Sequence, residues 1–137
     1  MQTITPNLAV KNIQESISFY KELGFELVMA VPEDKSSFGA DIDESKKYIW
    51  AMMKNGGVEL MFQEVASFKE DIGDVFDKVG ASTSFYMKMD DVDGFYKKLT
   101  VKVEIVKELH VTWYGMQEFY IKDCNGYILG FATQIKS

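Results

Sequence analysis

The sequence predicts an α+β fold of two tandem βαβββ modules, which form a curved mixed sheet around a cleft. The first observation is a repeat: the strand-to-helix pattern at Leu8–Ile13 returns 79 positions later at Met87–Val92. The second is a pair of matching turns, Asn55-Gly56 and Asn125-Gly126, each set between apolar stretches. Asn-Gly between such stretches is the strongest short-range signal of a β-hairpin. Each module therefore begins with a strand and a helix and ends with a hairpin.

The length of 137 residues suits a single domain built from two such modules. We expect module one at residues 1–63, a connector at 64–81 and module two at 82–137.

Module one opens with an alternating stretch over residues 3–10, which predicts a strand with Ile4 and Leu8 on its core face. Asn12 has the residue type and position of a helix N-cap, and Gly24 those of a helix stop. A polar loop follows over residues 32–46. The other predicted strands of this module are 25–31, 48–53 and 57–63.

The connector carries apolar residues at helical spacing, which predicts a short helix there. These residues are Phe68, Ile72, Val75 and Phe76. Module two repeats the order of module one, with His110 and Tyr114 in the loop after its second strand. Its predicted elements are a strand near 84–89, a helix near 91–99, and strands at 101–107, 116–122 and 127–132.

The composition excludes several classes of function. A net charge of −6 and a pI near 4.8 argue against a nucleic-acid partner, which needs a basic surface. Lys and Arg do not cluster as a membrane-binding patch would, and no apolar run approaches the roughly 20 residues that span a bilayer. The N-terminal residues lack the features of a signal peptide, and the one cysteine, Cys124, cannot form an internal disulfide. We expect a cytoplasmic protein.

Two segments resemble the vicinal oxygen chelate superfamily, which includes glyoxalase I, the bleomycin-resistance proteins and the extradiol dioxygenases. Trp113–Phe131 is similar to the final hairpin of the family, in which an aromatic-Gly pair leads to a Glu-Phe strand and an Asp-Pro-Asp/Asn-Gly turn. Cys124 stands where that turn usually has proline. Leu8–Ile13, followed by Leu23-Gly24-Phe25, resembles the first strand and helix of the family. The similarity covers almost the whole chain.

The resemblance implies where a metal would bind, because the enzymes of the family place four ligands on inward-facing strand positions. Those positions fall at Thr5, Glu59, Ser84 and Gly130, of which only Glu59 is a strong ligand for a divalent metal. The single histidine, His110, cannot complete the set. We therefore expect no metal and no cofactor, as in the bleomycin-resistance branch, whose members bind a drug without altering it.

Strand parity predicts the residues that line the cleft, because the other face of each strand packs on the helices. The predicted lining is rich in aromatic and methionine side chains, which suit flat organic ligands. An acidic residue such as Glu59 or Glu118 would favour a cationic ligand, and Trp113 and Tyr114 would lie over the mouth of the cleft. The predicted ligand-binding residues are Asn7, Trp50, Met52, Glu59, Met61, Tyr86, Trp113, Tyr114 and Tyr120.

Simpler interpretations of these residues stay open. Trp50 and Met52 could belong to the core, and Glu59 could form an ion pair with Lys88. His110 could be a solvated loop residue or a general base, and Cys124 an inert turn residue.

Three functions remain open. The favoured one is a protein that sequesters or carries a small aromatic ligand, which could be cationic. The sequence identifies no catalytic residue, so an enzyme is the less favoured interpretation. The alternatives are a metal-dependent lyase, isomerase or transferase with an atypical site, and an interaction module. The resemblance also implies a homodimer.

Overall fold

The computed structural model describes residues 1–80, 82–99 and 102–135. The chain divides into two compact units, residues 1–79 and 80–137, called unit 1 and unit 2 below. Each unit contains one four-stranded mixed sheet, and each has the element order βαβββ at its start. The predicted α+β class with two βαβββ modules is confirmed. The cleft between the modules stays a prediction.

Unit 1 places its strands in the order β1-β4-β3-β2, with β1 parallel to β4 and the other neighbours antiparallel. A second helix, α2, follows β4 and contacts β4 and β1, so the connector begins as part of this unit. The elements are β1 Asn7–Val10, α1 Ile13–Glu22, β2 Glu26–Pro32, β3 Tyr48–Asn55, β4 Val58–Glu64 and α2 Val65–Asp71.

Helix α1 begins and ends where the sequence predicts. The Asn12 side chain accepts a hydrogen bond from the Glu15 backbone N–H at 2.9 Å, which satisfies one of the free donors of the first turn. Gly24 follows the helix with a φ of 95°, a conformation that glycine adopts without strain. The helix buries Tyr20 against Phe62 of β4, with ring centroids 4.8 Å apart. The core of unit 1 therefore lies between α1 and one face of the sheet.

Two expectations for unit 1 are wrong. Ile4 is 91% exposed, because β1 begins only at Asn7, after a proline that has no N–H to donate to a ladder. Helix α2 ends at Asp71, so Val75 lies beyond it and is 67% exposed.

Unit 2 has the strand order β5-β8-β7-β6, the same arrangement as in unit 1. The elements are β5 Ser84–Lys88, α3 Val92–Leu99, β6 Glu104–Val111, β7 Met116–Lys122 and β8 Ile128–Gln134. The prediction of a loop at His110 is wrong, because β6 continues to Val111 in register with β7. Val101, the first residue of the predicted strand, lies outside the described residues.

Aromatic side chains build the core of unit 2. Phe119 of β7 stacks on Phe131 of β8 with ring centroids 5.2 Å apart. Phe95 and Tyr96 of α3 pack on them, at 4.9 Å from Phe131 and 5.0 Å from Phe119. Because successive side chains alternate between faces, Glu118 and Tyr120 project from the face opposite to α3. This face, called the open face of unit 2, carries the candidate site.

No helix in the described part of the chain is both long and apolar enough to cross a membrane.

Candidate functional site

The register of unit 2 brings polar and aromatic side chains together on its open face. Tyr86 of β5 pairs with Gly130 of β8, which pairs in turn with Tyr120 of β7. One rung along, Glu118 pairs with His110 of β6. The site consists of Glu118, Tyr86, Tyr114 and Tyr120, called the Glu118 cluster below.

Glu118 is the centre of this cluster. It is 2% exposed, and two tyrosine hydroxyls bind its carboxylate. Tyr86 donates to Oε2 and Tyr114 to Oε1, each at 2.6 Å. Such hydrogen bonds to a charged group are short and about twice as strong as neutral ones. The two hydroxyls therefore compensate for water that the carboxylate loses on burial.

Gly130 leaves room for the ring of Tyr120. A Cβ atom at position 130 would lie 2.5 Å from Cε2 of Tyr120, closer than real carbon contacts. The tyrosine ring thus lies across the backbone of β8, in the space that a side chain would occupy. Glycine in the middle of a strand usually weakens the strand. Here the contact between the Tyr120 ring and the β8 backbone explains why position 130 is glycine.

The environment keeps Glu118 ionised. Burial by itself raises the pKa of its carboxyl group, but the hydrogen bonds from Tyr114 and Tyr86 lower it, and the charges of His110 and Lys107 lower it further. The net result is a pKa of Glu118 below its ordinary value. A buried carboxylate with a lowered pKa carries its negative charge throughout the neutral range.

The pKa values of the three tyrosines shift in the opposite direction, upward. Burial raises the pKa of Tyr86 well above its ordinary value, and the hydrogen bond to Glu118 and its charge add to the effect. The hydrogen bond to Glu118 raises the pKa of Tyr114, and burial followed by the charge of Glu118 raises that of Tyr120. All three side chains are therefore neutral hydroxyls at neutral pH.

The hairpin between β6 and β7 places aromatic side chains at the border of the cluster. Trp113 packs edge-on against Tyr114 with ring centroids 5.3 Å apart, and Trp113 itself is 95% exposed. Gly115, with a φ of 83°, closes the turn after them. The predicted location of both aromatics in a loop is confirmed, and the contact between Tyr114 and Glu118 shows what holds this loop.

His110 approaches the carboxylate from β6. Its Nε2 lies 3.9 Å from Oε1 of Glu118, which is an ion-pair distance when the ring is protonated, and its Nδ1 lies 2.8 Å from the carbonyl oxygen of Glu108. A proton on Nδ1 satisfies that carbonyl.

The directions of the pKa shifts bear on what the cluster can do chemically. A general acid or base works best with a pKa near the operating pH. The pKa of Glu118 moves down and that of Tyr86 moves up, so both move away from neutrality. What the cluster offers a ligand is a fixed negative charge, hydroxyl oxygens that can still accept hydrogen bonds, and partly exposed rings.

Unit 1 places other predicted residues side by side. Met61 of β4 pairs with Asn7 of β1 on one side and with Met52 of β3 on the other. Trp50 lies one rung along, paired with Gln63. Three of the predicted residues, Trp50, Met52 and Met61, are half-buried.

Glu59 lies apart from this row, exposed near the hairpin of β3 and β4. Its register partner is Lys54, whereas the sequence suggested Lys88 as an ion-pair partner. A contact between ligand and any of the predicted residues stays a prediction. The predicted ligand-binding residues omit Glu118, although its position two residues before Tyr120 gives it the same face.

The residues present do not fit the metal sites of the superfamily enzymes. Among the residues that the structure describes, no group of three or more His, Cys, Asp or Glu side chains is close enough to hold a metal ion. Ser84 pairs with Ile128 and Gly130 with Tyr86, so Ser84 and Gly130 are not neighbours across the ladder. Thr5 precedes β1 altogether.

Comparison with solved structures finds the same fold in several proteins. TioX from Micromonospora sp. ML1 is 17% identical, with a TM-score of 0.72 over 98% of this chain and 100% of its own. A protein of unknown function from Agrobacterium tumefaciens str. C58 is 22% identical, with a TM-score of 0.73 over 98% and 95%. A bleomycin-binding protein in complex with bleomycin is 18% identical, with a TM-score of 0.63 over 98% and 99%.

A comparison with curated proteins finds no match. A family model does match: the one described as Glyoxalase/Bleomycin resistance protein/Dioxygenase superfamily covers residues 3–131. This match spans both units, each with the βαβββ order. The chain belongs to the glyoxalase/bleomycin resistance protein/dioxygenase superfamily.

Proposed function

We propose that this protein binds a small aromatic cation at the Glu118 cluster and sequesters or carries it without altering it chemically. The observation that carries the proposal is the buried, ionised carboxylate of Glu118, which two tyrosine hydroxyls fix in place. A buried charge costs free energy, and binding pockets commonly use such precisely placed polar groups for orientation and specificity.

The charge and the rings together favour a cationic ligand. The carboxylate attracts a positive charge, and the two hydroxyls that donate to it still have lone pairs for a ligand's N–H groups. A cation that reaches the ring face of Tyr120 or Trp113 would gain about 0.5–2 kcal/mol per contact. Nearby Lys107 and His110 reduce the net attraction, so the ligand must approach on the tyrosine side.

Binding without turnover is supported by the pKa directions and the donor set. Neither Glu118 nor Tyr86 has a pKa moved toward neutrality, and the cluster offers a metal only one carboxylate. A bleomycin-binding protein shares the fold, which supports small-molecule binding as a function that this scaffold can perform. At 18% identity, this likeness extends to the fold alone.

The test compares N-methylacridinium with acridine at pH 8, where the two three-ring probes differ by one charge. We expect calorimetric titration to show the cation binding at least roughly tenfold more tightly, because attraction to the carboxylate and contact with aromatic rings, at about 0.5–2 kcal/mol per contact, act on the charged probe only, and about 1.4 kcal/mol is tenfold in affinity. Glu118→Gln should remove this preference and leave the affinity for acridine nearly unchanged.

Glu108→Gln is the matched control, since it removes the same charge from an exposed side chain of unit 2. It should keep the preference for the cation. Equal affinities of the wild-type protein for the two probes would refute the proposal, whether or not the Glu118→Gln variant folds. Elemental analysis of protein purified without chelators adds an independent check, because a stoichiometric divalent metal would favour an enzyme instead.

We further propose that the protein acts as a homodimer, as the family resemblance implies. Light scattering of the purified protein tests this, and a monomer at micromolar concentration would contradict it.

A further inference from the structure

The face of the unit 1 sheet opposite to α1, called the open face of unit 1, carries a second candidate site, made of residues other than those of the Glu118 cluster. Four residues follow one another in register across the sheet, from β2 to β1: Met29, Met52, Met61 and Asn7. Residues in direct register share one face of a sheet, and neighbouring strands are about 4.8 Å apart. The row therefore consists of three adjacent thioethers with an amide at its end. We call it the Asn7 row.

A chain of hydrogen bonds fixes the orientation of the amide. Asn7 Nδ2 donates to Gln63 Oε1 at 2.9 Å. Gln63 Nε2 donates to Asp71 Oδ2 at 2.7 Å and to Ser67 Oγ at 3.1 Å. The Asp71 carboxylate can only accept, so the amide nitrogen of Gln63 must face it and Gln63 Oε1 must face Asn7.

The consequence is a defined acceptor at the end of the row. If the Asn7 amide were reversed, its oxygen would face the Gln63 oxygen, and two acceptors would oppose each other. Asn7 Oδ1 is therefore the atom that points away from Gln63. It exposes less than 1 Å², and within the described part of the chain it meets no hydrogen-bond donor. A buried acceptor without a donor is unfavourable and calls for an explanation.

We infer that Asn7 Oδ1 accepts a hydrogen bond from the single N–H or O–H group of a small, flat, uncharged aromatic ligand, whose ring lies against Met52 and Met61. An amide oxygen attracts a neutral donor without requiring a charge. Thioethers make favourable contacts with aromatic rings and adapt to irregular shapes. Since Oδ1 is enclosed while Met52 and Met61 are half-buried, the ligand enters by displacing a methionine side chain. This inference does not rest on cation binding at Glu118.

Indole and 1-methylindole are the probes, because they share the same rings and only indole has an N–H donor. Protein labelled with ¹³C in the methionine methyl groups gives a signal for each of the eight methionines, and Met52→Leu and Met61→Leu identify the two that matter. We expect indole to shift both signals in a saturable way. The affinity for 1-methylindole should be at least roughly tenfold lower, because its bound state leaves Oδ1 without a donor.

Asn7→Leu should abolish the preference for indole over 1-methylindole. Glu118→Gln should keep it, so failure at this site is distinguishable from failure at the Glu118 cluster. Equal affinities of the two probes for the wild-type protein would overturn the inference. So would the absence of any shift at Met52 and Met61 up to the solubility limit of indole, since Asn7 Oδ1 would then hold a bound water only.

Discussion

Replacing Tyr86 with phenylalanine removes one of the two hydroxyls that stabilise the ionised Glu118, and leaves the ring in place. The hydroxyl donates to Oε2 at 2.6 Å, and the carboxylate is 2% exposed. A hydrogen bond to a charged group contributes about 1.5–3 kcal/mol. Because Tyr86 is 42% exposed, water can replace part of the lost interaction, so the lower end, about 1.5 kcal/mol, applies.

The same loss raises the pKa of Glu118. A free-energy change of about 1.4 kcal/mol corresponds to about one pKa unit, so Tyr86→Phe should raise this pKa by roughly one unit. In the wild-type protein the pKa of folded Glu118 lies below its unfolded value. The resulting stability is fully present above the unfolded pKa and is lost as the pH falls through the folded pKa. In the variant this contribution shrinks, and acid unfolding should begin at a higher pH.

Two measurements check this reasoning. Urea unfolding at pH 7 and at several acidic pH values gives the free energy of unfolding, and the ¹³C shift of the Glu118 carboxyl gives its pKa directly. Tyr96→Phe is the matched control, because Tyr96 packs its ring on Phe119 in the core of unit 2. An unchanged pKa of Glu118 in Tyr86→Phe, with the variant folded, would refute the role of this hydrogen bond.

Two further predictions concern stability. Gly130→Ala should lower the free energy of unfolding by about 1–3 kcal/mol, because the new methyl group would lie 2.5 Å from the Tyr120 ring. An additional Tyr120→Ala change should restore much of the loss. Thermal unfolding that shows no loss of stability in Gly130→Ala would contradict the packing. Asn12→Ala should cost about 1 kcal/mol through loss of the α1 cap, measured by urea unfolding, whereas exposed Lys11→Ala should cost much less.

Local sequence signals account for most of the fold. The Asn12 cap, the Gly24 stop and the hairpin turn at Gly56 all act within a few residues, and each occurs where the pattern predicts it. The errors arise where local patterns continue past a real boundary. Ile4 keeps the alternation of β1 but precedes the strand, and β6 extends through His110 because it pairs with β7, which no local pattern encodes.

The candidate sites were predictable only in part. Parity alone places Tyr86 and Tyr120 on the open face of unit 2, and Asn7 and Met61 on that of unit 1. It gives no reason to prefer Glu118 over exposed Glu59, since both are strand carboxylates on open faces. Glu118 differs from Glu59 in being buried and in accepting hydrogen bonds from two tyrosines, and both properties depend on the packing of the whole sheet.

The amino-acid sequence by itself determined the repeated βαβββ order and the positions of the turns, because alternation, caps and Asn-Gly pairs act over short stretches of chain. Only the tertiary structure decided which side chains meet. Tyr86 and Glu118 are 32 residues apart in the chain, and Asn7 and Gln63 are 56 apart. Their hydrogen bonds, and hence the charge of Glu118 and the orientation of the Asn7 amide, exist because strand pairing brings distant segments into register.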